Sequence, residues 1–109
     1  MKIIWEPNAK SEMRECFAYC KKNFGITTYY RFKSCVSEQL ERLLSFPQIG
    51  QKEFLLENPV AEIRSLVVKR YHLKIVYYID ESINYVYIVD VWDTRREPCN
   101  LTKRVKDRF

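Results

Sequence analysis

Leu73-Lys74-Ile75-Val76-Tyr77-Tyr78-Ile79-Asp80-Glu81-Ser82-Ile83-Asn84-Tyr85-Val86-Tyr87-Ile88-Val89-Asp90-Val91-Trp92 is the stretch that decides the fold class. β-Branched and aromatic residues fill both halves, and the polar Asp80-Glu81-Ser82 interrupts them. Strands joined by so short a break must run antiparallel. Upstream, Ile63 to Lys69 has the same character, with Arg70-Tyr71-His72 as the next break. Residues 63–92 therefore predict a three-stranded meander.

Alternation assigns the faces. With a pivot at Glu81, Leu73, Ile75, Tyr77 and Ile79 share a face with Ile83, Tyr85, Tyr87, Val89 and Val91, an apolar surface that has to be covered. Lys74, Val76, Tyr78, Val86, Ile88, Asp90 and Trp92 fall on the reverse face, joined by Ser65, Val67 and Lys69 if the first turn is Tyr71-His72. This register requires Lys74 to pair with Ile88.

The cover comes from the first half of the chain. Met13, Cys16, Phe17, Cys20 and Phe24 recur at helical spacing, Lys21 and Lys22 suit a C-terminal turn, and Gly25 follows at the stop position. Tyr29, Phe32, Val36, Leu40 and Leu43 form a second stripe, with Thr27 or Thr28 as the cap and Phe46-Pro47 as the end. The short link makes these helices antiparallel neighbours. Ile3-Ile4-Trp5 reads as a first strand stopped by Pro7, and the loop from Pro47 to Pro59 has room for an extended piece at Phe54-Leu55-Leu56. The expected architecture is α+β: an N-terminal strand, then a helical hairpin packed on one face of an antiparallel sheet that ends in the meander.

One domain over residues 1–109 is expected, since this length supports a single core. With 47% hydrophobic residues and only 2 Gly and 4 Pro, the chain can offset its ordering entropy by burial, which excludes a disordered class. The opening Met1-Lys2-Ile3-Ile4-Trp5 is too short for a signal-peptide core, and no apolar run is long enough to span a bilayer. A cytoplasmic protein without a membrane partner is the expectation. Cys16, Cys20, Cys35 and Cys99 are scattered, which favours reduced thiols over a disulfide framework or a metal site. Neither a metal nor a cofactor is expected; Gly25 and Gly50 cannot make a phosphate loop.

The net charge of +5 is unevenly placed. Arg64, Lys69, Arg70 and Lys74 lie between Ile63 and Ile79 without an anion, while Arg95, Arg96, Lys103, Arg104, Lys106 and Arg108 outnumber Glu97 and Asp107 after residue 93. Such asymmetry suits an acidic protein or a nucleic acid as partner.

The order of these elements, with Phe46-Pro47-Gln48-Ile49-Gly50 closing the hairpin, Ile63-Arg64-Ser65-Leu66-Val67-Val68, Leu73-Lys74-Ile75-Val76-Tyr77-Tyr78 and Val89-Asp90-Val91-Trp92-Asp93-Thr94-Arg95-Arg96, resembles the RelE/ParE superfamily of toxins in type II toxin–antitoxin systems. The resemblance covers nearly the whole chain, and the Trp-Asp-x-Arg-x-x-Pro pattern of the tail is similar to one in that superfamily. It implies bacterial growth inhibition relieved by a tightly bound cognate antitoxin, as in plasmid stabilisation (addiction) modules. Two biochemistries are implied: metal-independent mRNA cleavage in the ribosome for the RelE-like branch, and poisoning of DNA gyrase without nuclease activity for the ParE-like branch.

RelE-like nucleases typically carry two lysines on the strand before the hairpin, an arginine on the next strand, an arginine after the last and a tyrosine beyond. Here those positions fall on Ser65 and Val67, on Lys74, near Arg95, and near Asn100 or Leu101. Phosphodiester cleavage needs a base, an acid and cations about the developing charge, each worth on the order of a hundredfold or more. The missing groups favour the ParE-like branch.

A rearranged nuclease site could use His72 for proton transfer, with Lys74 and Arg95 as cations and Asp90, expected opposite His72, as orienter. The plain alternative is a surface-turn histidine. Under the binding reading, Lys69, Arg70, Lys74, Asp90, Trp92, Asp93, Arg95 and Arg96 meet an acidic antitoxin or the target, gyrase or else ribosome and mRNA. A third reading is a non-toxic binding module on the same fold.

Overall fold

A computed structural model describes residues 1–53 and 62–93. Its elements are β1 (Lys2–Trp5), α1 (Pro7–Phe24), α2 (Ile26–Ser45), β2 (Gln51–Lys52), β3 (Ile63–Val68), β4 (Leu73–Asp80) and β5 (Tyr85–Asp93). The strands form one five-stranded sheet in the order β1-β5-β4-β3-β2. All neighbours are antiparallel except β1, which runs parallel to β5 on the edge, Ile3 opposite Val86 and Trp5 opposite Ile88. A parallel partner is possible because the helical hairpin carries the chain from β1 back to the sheet.

Pro7 does not simply stop β1; it opens α1, where its missing N–H costs nothing. Glu6 caps this helix, its carboxylate accepting from the N–H of Asn8 at 3.0 Å and of Ala9 at 3.3 Å. Gly25 alone joins the helices, at φ 89°, a conformation that side chains other than glycine's disfavour. Because α2 starts at Ile26, Thr27 and Thr28 lie in its first turn, and no side chain caps it. Ala9, Met13 and Cys20 of α1 and Phe32, Val36 and Leu43 of α2 are buried against Leu66, Val68, Leu73, Ile75, Tyr77, Val86, Ile88 and Val91. Phe24, expected in that stripe, instead stands out at the hairpin tip, 64% exposed.

The β4–β5 register differs from the expected one. Lys74 pairs with Trp92, not Ile88, and Val76 with Asp90. Residues 81–84 form a longer turn than Asp80-Glu81-Ser82. It is held open by the Asp80 carboxylate, which accepts from the Ser82 N–H at 3.1 Å, and by Asn84 at φ 59°. Nearer the middle, Tyr77 pairs with Ile88 and Val76 with Asp90, so Val89 is the additional residue of a β-bulge. The longer turn brings Val86 and Ile88 to the helix side, and the bulge returns Val91 to it. Tyr87 and Val89 consequently face the reverse side, where Ile63, Val76, Val89 and Trp92 form a second cluster and Tyr78 and Tyr87 stack at 4.9 Å.

Between β3 and β4 the turn is four residues rather than two, Val68 pairing with Leu73. The shift is even, so Ser65, Val67, Lys74 and Val76 keep the expected face. The short strand between the helices and β3 is at Gln51–Lys52; Phe54-Leu55-Leu56 lies outside the described residues.

Candidate partner-binding site

At one end of the sheet, Lys69–Tyr71 makes a single 3₁₀ turn, and His72 follows in the left-handed region, at φ 53°. The His72 N–H donates to Lys69 O at 3.2 Å, closing the corner and leaving Lys69, Arg70 and His72 exposed. Tyr71 points inward and stacks on Phe32 of α2, centroids 4.5 Å apart, while the Arg70 guanidinium lies 5.8 Å from the Tyr71 ring centre. Between this corner and the hairpin is a cleft of about 610 Å³. Arg70, His72 and Asp93 line its sheet wall; Cys16, Tyr19 and Arg31 line its helical wall.

The reverse face holds a polar group built by three strands. Glu53, just after β2, accepts from Lys74 Nζ at 2.9 Å and from the Ser65 hydroxyl through the same oxygen. Nearby, Arg64 donates to Gly50 O at 2.8 Å and Gln48 O at 3.2 Å and pairs with Glu62 at 3.2 Å, and Glu62 also meets Lys52 at 2.7 Å. The Lys52 hydrogen bond holds the Glu62 carboxyl below its ordinary range, with Arg64 assisting against partial desolvation.

The expected site residues do not form one constellation. His72 opens on the cleft beside the helices, whereas Lys74 lies on the reverse face against Glu53. The expected His72–Asp90 pairing is absent: Asp90 sits opposite Val76, wholly buried, with its carboxylate accepting from the Val91 N–H at 2.8 Å. Trp92 is buried beside Lys74. Lys69 and Arg70 stand exposed on the corner, with Asp93 in the cleft wall; Arg95 and Arg96 lie outside the described residues. Sequence reasoning missed Glu53. It falls in the aperiodic Pro47–Pro59 loop, and only the β2–β3 pairing brings it to Lys74.

Among the described residues no group of His, Cys, Asp and Glu could hold a metal ion, and no helix is long and apolar enough to cross a membrane. No curated protein matches the chain in sequence. Several solved structures share the fold, among them two toxin-system structures. The chromosomal ParDE toxin–antitoxin system from P. aeruginosa superposes with a TM-score of 0.64 at 15% identity, covering 84% of this chain and 92% of that one. The isolated E. coli RelE toxin superposes with a TM-score of 0.58 at 17% identity, covering 98% of this chain and 97% of that one. Residues 3–98 match the family described as the ParE toxin of type II toxin–antitoxin systems, parDE. The strand, helical hairpin and meander thus carry a family assignment as well as a fold: this chain belongs to the ParE toxin family of type II toxin–antitoxin systems.

Proposed function

We propose that this toxin arrests growth in the cytoplasm by binding, with DNA gyrase as target, and that an acidic antitoxin neutralises it, as in plasmid addiction. The observation that supports this reading is the Glu53–Lys74–Ser65 group. At the positions where the nuclease branch would place unpartnered cations, this chain has a serine, a valine and one lysine whose charge a carboxylate already balances. A surface so neutralised gives little help to a developing phosphorane charge. Lys69 and Arg70, exposed on the corner, are suited to attracting an acidic partner. Asp93, Arg95 and Arg96 extend this corner in the binding reading, while Lys74, with Asp90 and Trp92 behind it in the sheet, belongs to a second contact on the reverse face.

Expression of the chain without its antitoxin tests the proposal. Double-strand DNA breaks with an intact message pool are the expected outcome. Truncated mRNA would select the ribosome-dependent nuclease, and normal growth the inert binding module.

A further inference from the structure

The basic corner has an unassigned neighbour. At the hairpin tip Tyr19, Phe24, Ile26 and Tyr30 are 62%, 64%, 53% and 59% exposed, an unusual density of large apolar side chains on one short surface. Tyr19 and Phe24 touch edge to face at 6.3 Å, and both line the cleft across from Arg70 and His72. Residues 16–37 carry Lys21, Lys22, Arg31 and Lys33 and no anion. Lys21 and Lys33 flank the Tyr29 ring at 5.5 and 5.3 Å, so cations edge the apolar patch. The Phe32–Tyr71 stack ties tip and corner together as the two sides of the cleft.

We infer that the hairpin tip and the Lys69–His72 corner form one docking surface for an acidic protein segment that inserts an apolar anchor side chain into the cleft. The inference rests on the binding reading above and names its chemistry. Charge selects the occupant: a second copy would bring the same cations to the contact, and like charges disfavour that pairing. Single-stranded nucleic acid is less suited: three of the four patch side chains are aromatic, but the patch spans one tip, whereas strand binders use a groove tracking several nucleotides. Glu12, Glu15 and Asp93 also line the cleft, so the acidic residues of the segment should stay beside the cations of the tip and corner with only the anchor entering.

The test uses the full chain and a fluorescein-labelled peptide, Asp-Glu-Phe-Asp-Glu-Leu-Asp-Glu, followed by anisotropy and by amide chemical shifts. Saturable binding is expected, with shifts confined to residues 19–33 and 69–73. Phe24→Ser with Tyr30→Ser, and separately Lys21→Glu with Lys22→Glu, should weaken it by about tenfold or more. Lys10→Glu, roughly 20 Å along α1, should change it by less than about twofold. These are surface substitutions, and unchanged melting of each variant confirms folding. Failure of the peptide to bind, or equal binding by the tip variants, overturns the inference. So does a stronger tip-dependent affinity for oligouridylate or phosphatidylglycerol vesicles, or a dimer that the tip variants dissolve. Growth of cells expressing the unaltered chain is scored separately: absence of arrest removes the toxin mechanism proposed above but leaves the peptide result standing.

Discussion

The Tyr77 hydroxyl accepts a hydrogen bond from the Gly50 N–H at 2.9 Å and donates one to Pro47 O at 2.8 Å. A side chain in the middle of the sheet thereby fixes the loop that leaves the helical hairpin. That loop leads directly to β2 and Glu53, so the bond helps set the polar group on the reverse face. Tyr77→Phe removes both bonds and strands two backbone groups, at a cost of about 1–3 kcal/mol. Urea denaturation should show a lower midpoint with an unchanged slope.

Gly50→Ala should be worse than its size suggests. An added Cβ would collide with the Tyr77 hydroxyl and come within 2.6 Å of Ser65 O, and the latter is backbone. Either β3 shifts or the Tyr77 bridge opens. The expected signs are a lower melting temperature and amide shift changes around residues 63–66 and 77.

Alkali should unfold the protein through the same tyrosine. Burial pushes the Tyr77 phenol above its ordinary value, outweighing the Gly50 hydrogen bond, and burial with nearby Tyr87 and Asp80 does the same to Tyr78. Above the unfolded-state value of about 10 the unfolded chain binds fewer protons than the native one, so stability falls as pH rises. Circular dichroism against pH should show loss of structure in that range. In Tyr77→Phe the decline should be shallower, although the variant starts from lower stability.

The helical hairpin and meander were legible because each is written in a local period: Met13 and Cys20, Phe32 and Val36, and Leu73, Ile75 and Tyr77 are buried as expected. The β4–β5 register was not legible. A longer turn after Asp80 and an added residue at Val89 each reverse the side-chain parity, and neither leaves a glycine or proline to mark it. Beyond the bulge the two reversals cancel, leaving an even slip of four residues: Asp90 keeps its expected face but sits opposite Val76 rather than His72. Exposure of Arg70 followed from the turn, whereas Lys69, expected as the last residue of its strand, lies in the 3₁₀ turn instead, and Glu53 depended on a β2–β3 pairing that no local period marks.

Deleting Val89 tests the bulge. Without it, either Val91 leaves the core or Val86 and Ile88 do, and each exposed side chain costs about 1.5–3 kcal/mol. The deletion should give poorly dispersed amide spectra or insoluble protein. Val89→Ala, which keeps the residue count, should remain folded.

The Glu53–Lys74 pair should couple by about 1 kcal/mol in a double-mutant cycle built on Glu53→Ala and Lys74→Ala, since both side chains are only partly accessible and share Ser65. High salt should reduce the coupling but not remove it. Additive effects of the two substitutions would mean that the pair does not organise the reverse face.

His72 offers the sharpest division between binding and nuclease chemistry. It sits at φ 53°, where a side chain costs about 1–2 kcal/mol relative to glycine. His72→Gly should therefore hold or raise stability, His72→Ala should be close to neutral, and His72→Val should lose stability because branching crowds this conformation. If the toxin acts by binding, growth arrest should persist in the glycine and alanine variants, because the corner keeps its shape and Lys69 and Arg70 remain exposed. Arrest abolished in both, with melting unchanged and antitoxin binding intact, would instead assign the imidazole a chemical task.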